Sequence, residues 1–203
     1  MYLTEEGCLL RKADSGESHT LLVFFLRESG LRYVLARRRA KPQAGSALPD
    51  LFETGEVYLQ QKDDSKPAFL MEYTPLSRFP GIARQYQAFA SAAQLTRFYE
   101  KNLIHMEHFN GAWELLLKSL ESFAVQRQPQ VTLFKALYLF AKLEGYPVKA
   151  QWLQRKRPHL QDPLLKVLQQ PVNEATIEPK LLEDCINDLF KYFQQETDLL
   201  PPA

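Results

Sequence analysis

The sequence predicts an α+β chain of two domains, in which a small five-stranded β-barrel precedes an all-helical domain. Two observations predict this class. Residues 1–76 contain five short apolar segments separated by turn-forming residues, which is the pattern of small barrels. After residue 78, apolar residues recur at helical spacing instead. We therefore expect the barrel to span 1–78 and the helical domain to span 79–203.

The second of the five strand segments, "SHTLLVFFLRE", is apolar at every position from 21 to 26. A strand that is apolar on both parities is buried on both faces. Because a barrel buries only its inner face, another element must pack against the outside of this strand. The other segments are "GCLLRK", "LRYVLAR", "LFETGEVYLQQ" and "AFLMEYT", with turns at "SG" and "KDDSKP" between them. Five such strands predict the OB-fold, the five-stranded version of the small barrel.

Apolar periodicity predicts the helices of the second domain. The expected long helices are Gly81–Lys101, Ala112–Ala124, Val131–Glu144 and Pro179–Gln195, and a shorter one covers Pro163–Gln169. Gly145 and Pro147 are the signals that end the third of them.

The charge and cysteine content limit the classes of function. The chain has 25 basic and 24 acidic side chains, so any site for a polyanion must be local. Cys8 and Cys185 are too few for a disulfide framework or a four-cysteine zinc site, and they predict buried, reduced thiols in a cytoplasmic protein. A signal peptide and an apolar stretch of roughly 20 residues are not found, so we expect no membrane association.

Motifs for catalysis and metal binding are scarce. The chain has no G-x-x-x-x-G-K-[ST], no G-x-G-x-x-G after a strand and no G-x-S-x-G. His105 and His108 flank Glu107 at a spacing that two metal ligands can use, but they lie in a connector without further ligands nearby. A polar, solvated connector is the favoured interpretation. We therefore expect neither a metal nor another cofactor.

Two further combinations of residues are weighed against enzyme chemistry. Cys8 and His19 are a conceivable nucleophile and base, but burial in an apolar strand keeps a thiol protonated and inert. Asp63 and Asp64 are adjacent carboxylates, but they lie in a turn with Ser65 and Lys66, where a surface hairpin is expected. The sequence therefore predicts a protein that is not an enzyme.

Basic clusters are the remaining candidates for a functional site. The first comprises Arg37, Arg38, Arg39 and Lys41, with Arg11 and Lys12 at the end of the first strand. The second comprises Arg155, Lys156 and Arg157, three residues after Trp152. Each is either a solvated surface or a site for phosphate, which the planar fork of arginine suits. If the ends of the first and third strands are adjacent, the first cluster gathers six cations into one patch.

The run "GCLLRKADSGESHTLLVFFLRESGLRYVLARRRAK" contains a "GES" turn, an apolar strand, "ESG" and a basic loop in that order. It resembles the opening of the RecO family of bacterial recombination mediators. "GSALPDLFETGEVYL" resembles the segment leading into the fourth strand, and "RFPGIARQYQAFASAAQLTRFYEKNL" resembles the domain junction and first helix. "LFKALYLFAKLEGYPV" is similar to the helix that ends in Gly-Tyr. The resemblance covers about residues 6–150.

The resemblance implies an N-terminal OB-fold and a C-terminal helical domain that together bind single- and double-stranded DNA. It also implies strand annealing and loading of recombinase, together with a RecR-like protein and the single-strand-binding protein. Two departures are evident: residues 149–171 contain no cysteine, so the zinc module of many relatives is absent, and "ARRRAK" lacks a glycine usual near Arg38.

We therefore expect the first cluster to contact phosphate, with Tyr33 or Tyr58 as a candidate for base stacking unless both lie in the barrel core. The alternative is an adaptor that keeps both domains, has lost DNA binding and docks a partner protein.

Overall fold

The computed structural model of the chain describes residues 1–38, 48–62, 66–125 and 128–202. The chain divides into two compact units. The first comprises Met1–Phe79 and Asn102–Trp113, and the second comprises Pro80–Lys101 and Glu114–Ala203. The predicted order, a barrel followed by helices, is confirmed. A short segment of the helical half, 102–113, belongs to the barrel unit although it lies after the boundary expected at 78.

Five strands close the barrel in the order β1-β2-β3-β5-β4. Their bounds are β1 Tyr2–Ser15, β2 His19–Leu26, β3 Gly30–Arg37, β4 Thr54–Gln60 and β5 Ala68–Ser77. All neighbours are antiparallel except β3 and β5, which pair in parallel over only two residues. This closed five-stranded barrel followed by helices confirms the predicted OB-fold architecture.

The inner face of the barrel forms one apolar core. Its members are Leu9, Leu22, Phe24, Leu26, Val34, Ala36, Val57, Leu59, Ala68 and Tyr73. The outer face of β2 is also covered, as its doubly apolar sequence predicts. The ring of Phe25 meets Trp113 edge-on at 5.3 Å between centroids and Phe109 at 6.1 Å. This contact explains why residues 102–113 belong to the barrel unit.

Gly30 shows how closely the covering segment approaches the barrel. Its φ is +73°, and a Cβ at this position would lie 2.4 Å from the ring of Phe109. The turn between β2 and β3 therefore needs glycine both for its conformation and for space.

The second unit is helical. The long helices of the chain are α2 Tyr86–Asn102, α3 Asn110–Val125, α4 Pro129–Leu143, α5 Pro158–Gln169 and α6 Pro179–Glu196, preceded by the short α1 Pro80–Ala83. Of these residues, Asn102 and 110–113 belong to the barrel unit. The first predicted helix is thus two elements. Its break leaves Gly81 against α3, where a Cβ would lie 1.9 Å from the carbonyl oxygen of Ala124. α5 begins before the expected Pro163, because Pro158 occupies the first turn, where a missing amide hydrogen costs nothing.

Aromatic rings fill the helical core. Phe98 on α2 lies 5.0 Å from Phe140 and 5.6 Å from Phe193, and it is fully buried. Trp152, in a π-helical turn at Lys149–Leu153, packs at 6.0 Å from Phe134. Across the described parts of both units, no helix has the length and apolar character that a bilayer span requires.

Candidate nucleic-acid interface

The strand register separates the two arginines of the first cluster that the structure describes. Arg37, the last residue of β3, is opposite His19 on β2 and is exposed on the outer face of the barrel. Arg38 follows it with the opposite parity, because successive strand residues point to opposite faces. Its guanidinium forms an ion pair with Asp14, and its Nε donates to Thr20 Oγ1 at 3.3 Å. Arg39 and Lys41 lie outside the described residues.

Arg11 and Lys12 are likewise on different faces. Arg11 is opposite Val23 on β2, whereas Arg37 is opposite His19 on the same strand. Val23 and His19 are four residues apart, so Arg11 and Arg37 are separated by roughly 13 Å along the strand direction. Lys12 is opposite Leu22, a core residue, and its Nζ donates to the carbonyl of Pro49 at 3.3 Å. The strand register therefore does not bring the four described cations onto one face, and the role of the cluster in DNA binding stays a prediction. Only Arg11 and Arg37 share the outer face, and they are apart.

Arg37 instead contributes to a groove on the outer face that sequence analysis did not identify. The groove has a volume of about 480 Å³. It runs across the start of β2, the end of β3 and the beginning of β5, and its lining comprises Ser18, His19, Leu35, Arg37, Gln60, Lys62, Phe69, Leu70 and Met71. The strand 2–3 face is where OB-folds bind oligonucleotides.

Phe69 contacts two other residues that line this groove. His19 meets its ring edge-on at 6.2 Å between centroids, and the Nζ of Lys62 lies 5.7 Å from the ring centroid. Ser18 Oγ and His19 Nδ1 are hydrogen-bonded at 2.8 Å, which orients the imidazole. Pairing of β5 with β3 places Phe69 beside Leu35, one strand away from His19. The register thus assembles an aromatic ring, an imidazole and two cations from four separate segments.

The groove has the chemistry of a single-strand nucleic-acid site. Arginine and lysine attract phosphate, and the face of an aromatic ring stacks any base. No carboxylate is among the described residues that line it. Within the described part of the chain, Arg37 has no acidic partner, in contrast to Arg38. Asp63 and Asp64, next to Lys62 in sequence, lie outside the described residues.

Neither tyrosine proposed for base stacking is part of the inner core. Tyr33 is opposite Val23 on the outer face of the sheet and is 39% exposed. Tyr58, on β4, stacks on Tyr2 with centroids 5.6 Å apart and an angle of 19°. Tyr33 is thus accessible, but it lies outside the groove around Phe69.

The second basic cluster is largely neutralised by acidic side chains of its own unit. Arg155 Nη1 donates to both carboxylate oxygens of Glu196 at 2.8 Å. Lys156 forms an ion pair with Asp188, and its Nζ lies 5.0 Å from the ring of Trp152. Two of the three cations therefore serve contacts within the helical unit, so these pairs favour a structural role for the cluster.

The residues weighed for enzyme chemistry are not brought together. Cys8 is fully buried, and its burial raises the pKa of the thiol far above its usual value. It lies opposite Phe25, six residues along β2 from His19, so the two side chains are separated by roughly 20 Å. His105 and His108 are exposed, and no group of three metal-ligating side chains occurs among the described residues.

No protein-family model matches this sequence, and no curated protein is similar to it. The resemblance to the RecO family therefore stays a prediction, as do the roles it implies. Of the groove residues, Arg37 was predicted from the sequence to contact phosphate, and His19 was weighed only as a base for Cys8. Strand parity was the one sequence signal available for the others, because it assigns residues to the inner or outer face. That Phe69 and Arg37 lie on neighbouring strands is known only from the pairing of β3 with β5.

Proposed function

We propose that this protein binds single-stranded DNA along the outer barrel groove and acts as a RecO-like recombination mediator. The observation that carries the proposal is one groove in which the ring of Phe69 contacts His19 and Lys62, while Arg37 lies opposite His19. The cations hold the phosphates, and the ring stacks a base that has left its partner strand. The contacts we propose are to phosphates and to the face of one base, so we expect binding to be independent of sequence.

The arrangement suits a protein that holds DNA briefly and releases it. The contact of Lys62 with Phe69 is exposed and worth only about 0.5–1 kcal/mol, so an incoming base displaces the ammonium at little cost. The displaced ammonium is then available to a phosphate. Few phosphate contacts give modest affinity, which annealing and transfer to a recombinase require. Under this proposal duplex DNA, a RecR-like protein and the single-strand-binding protein are further partners, and the protein acts in the cytoplasm without catalysing a reaction.

A second candidate is an adaptor that binds protein partners and no DNA. It is favoured by the ion pairs that occupy Arg38, Arg155 and Lys156. Charge reversal in the groove separates the two functions. It abolishes oligonucleotide binding in a mediator, whereas an adaptor has no such binding to lose.

The salt dependence of binding counts the phosphate contacts. With Arg37 and Lys62 as the contacts, the logarithm of affinity for an oligodeoxythymidylate falls against log salt with a slope of about −1.4. Between 50 and 200 mM salt this is a loss of roughly sevenfold, whereas four contacts, including Arg39 and Lys41, give about −2.8 and roughly fiftyfold. Fluorescence anisotropy over a salt series measures the slope. Binding that does not change with salt would contradict the proposal.

Replacing Phe69 by leucine separates stacking from charge. Loss of one base stack is expected to weaken oligodeoxythymidylate binding by about 1–3 kcal/mol, which is roughly 5- to 150-fold. The salt slope should stay the same, because no cation is removed. The same anisotropy titrations give both quantities. Unchanged affinity in Phe69→Leu would exclude the ring from the site.

A further inference from the structure

The barrel carries a second groove, separate from the one around Phe69. It has a volume of about 430 Å³ and opens between the first half of β3, the start of β1 and the end of β4. Its lining comprises Met1, Leu3, Leu31, Arg32, Tyr33, Leu59, Gln61, Lys66 and Pro67. None of these residues lines the first groove, so the two are distinct surfaces of one barrel.

The second groove exists because β3 and β5 pair over a short length. Only Val34 with Ala68 and Leu35 with Phe69 form this parallel contact. Pro67, directly before β5, has no amide hydrogen and cannot extend the ladder by donating toward Tyr33. On its other side β3 pairs with β2 over its whole length. One edge of residues 31–33 is therefore not covered by any strand among the described residues.

A side chain contacts the backbone within residues 31–33. The Nη1 of Arg32 donates to the carbonyl oxygen of Leu31 at 3.2 Å. In a continuous ladder, a backbone amide would make this kind of contact. A backbone amide of an incoming strand can take over the hydrogen bond to the carbonyl of Leu31. The guanidinium of Arg32 is then available to pair with a carboxylate of that strand.

We propose that this groove binds an extended acidic peptide of a partner protein, which adds a strand to the exposed edge of β3. Strand addition supplies backbone hydrogen bonds, and alternate side chains of the peptide fill the groove. Leu3, Leu31 and Leu59 offer an apolar floor, while Arg32 offers a positive charge at the rim. A peptide fits this surface better than nucleic acid does, because an unpaired strand edge donates and accepts in the pattern of another backbone.

A designed probe tests the proposal without knowledge of the natural partner. The probe is a fluorescent, terminally blocked six-residue peptide of alternating glutamate and valine, titrated into the full chain. We expect saturable binding that slows hydrogen exchange of those amides in residues 31–33 that point away from β2. Methylating the peptide amides along one edge should weaken binding at least tenfold, and methylating the other edge should leave it unchanged. The Arg32→Glu variant should also bind at least tenfold more weakly.

The nucleic-acid groove provides the control. The Arg37→Glu/Lys62→Glu variant should lose oligodeoxythymidylate binding and keep the peptide affinity, so failure of either function is visible separately. Equal binding of both methylated peptides, or no binding at about 1 mM peptide, would overturn the proposal. It would also be overturned if Arg32→Glu weakened oligonucleotide binding and the peptide competed with the oligonucleotide, since the groove would then belong to nucleic acid.

Discussion

Reversing the charges of Arg37 and Lys62 together is expected to lower the affinity for single-stranded oligodeoxythymidylate by at least about 100-fold, which leaves no detectable binding at a modest starting affinity. Each substitution removes a charge-assisted contact to phosphate worth about 1.5 kcal/mol or more and adds repulsion. Both side chains are exposed on the outer face, so the fold should persist. Anisotropy titrations of the Arg37→Glu/Lys62→Glu variant at low salt measure the change, and circular dichroism confirms that the barrel remains folded.

The matched control reverses two exposed lysines of the helical unit, Lys118 and Lys180. The Lys118→Glu/Lys180→Glu variant has the same net charge as the groove variant. If net charge alone determined the affinity, the two variants would lose oligonucleotide affinity equally. The groove would then have no special role in binding. The proposal requires the control to bind within about twofold of the unaltered protein, a difference of less than 1 kcal/mol.

The largest effect on stability is expected at Phe98. The ring is fully buried and lies within 6.4 Å, between centroids, of Phe140, Phe190 and Phe193. Truncation to alanine removes these contacts and leaves a cavity, which costs about 4 kcal/mol of unfolding free energy. Urea unfolding of the Phe98→Ala variant, followed by the circular dichroism of the helices, measures this loss.

Tyr86, at the start of the same helix, is the control for Phe98. Its side chain is 85% exposed, so Tyr86→Ala should change the unfolding free energy by no more than about 0.5 kcal/mol. Comparable losses in both variants would mean that the aromatic cluster does not hold the helices together.

The sequence was sufficient for the architecture because its signals are local. The alternation of turn residues with short apolar segments predicted the positions of all five strands. The apolar residues on both faces of β2 correctly predicted that another element packs against the outside of the barrel. The bounds of β1 were missed, because its first half, "YLTEE", pairs with β4 and carries little apolar pattern. The break between α1 and α2 was also missed. Gly81, in α1, lies close to Ala124, a residue distant in sequence, and no local pattern predicts such a contact.

The site was less predictable, because it depends on parity and on strand order. The sequence does not distinguish Arg37 from Arg38, since both belong to one basic run. In the structure Arg37 is on the outer face, whereas Arg38 forms an ion pair with Asp14. Nothing in the sequence indicated that Phe69 belongs to a site, because a single phenylalanine in an apolar strand segment is usual. Its position beside His19 follows from the parallel contact of β3 and β5, which joins segments more than 30 residues apart.

Amide chemical-shift mapping with a short oligodeoxythymidylate tests the central claim most directly. The account predicts that titration moves the resonances of residues 18–19, 35–37, 62 and 69–71, and that these shifts disappear in Arg37→Glu/Lys62→Glu. Shifts confined to residues 155–157 of the helical unit, or the absence of any shift at low salt, would contradict it.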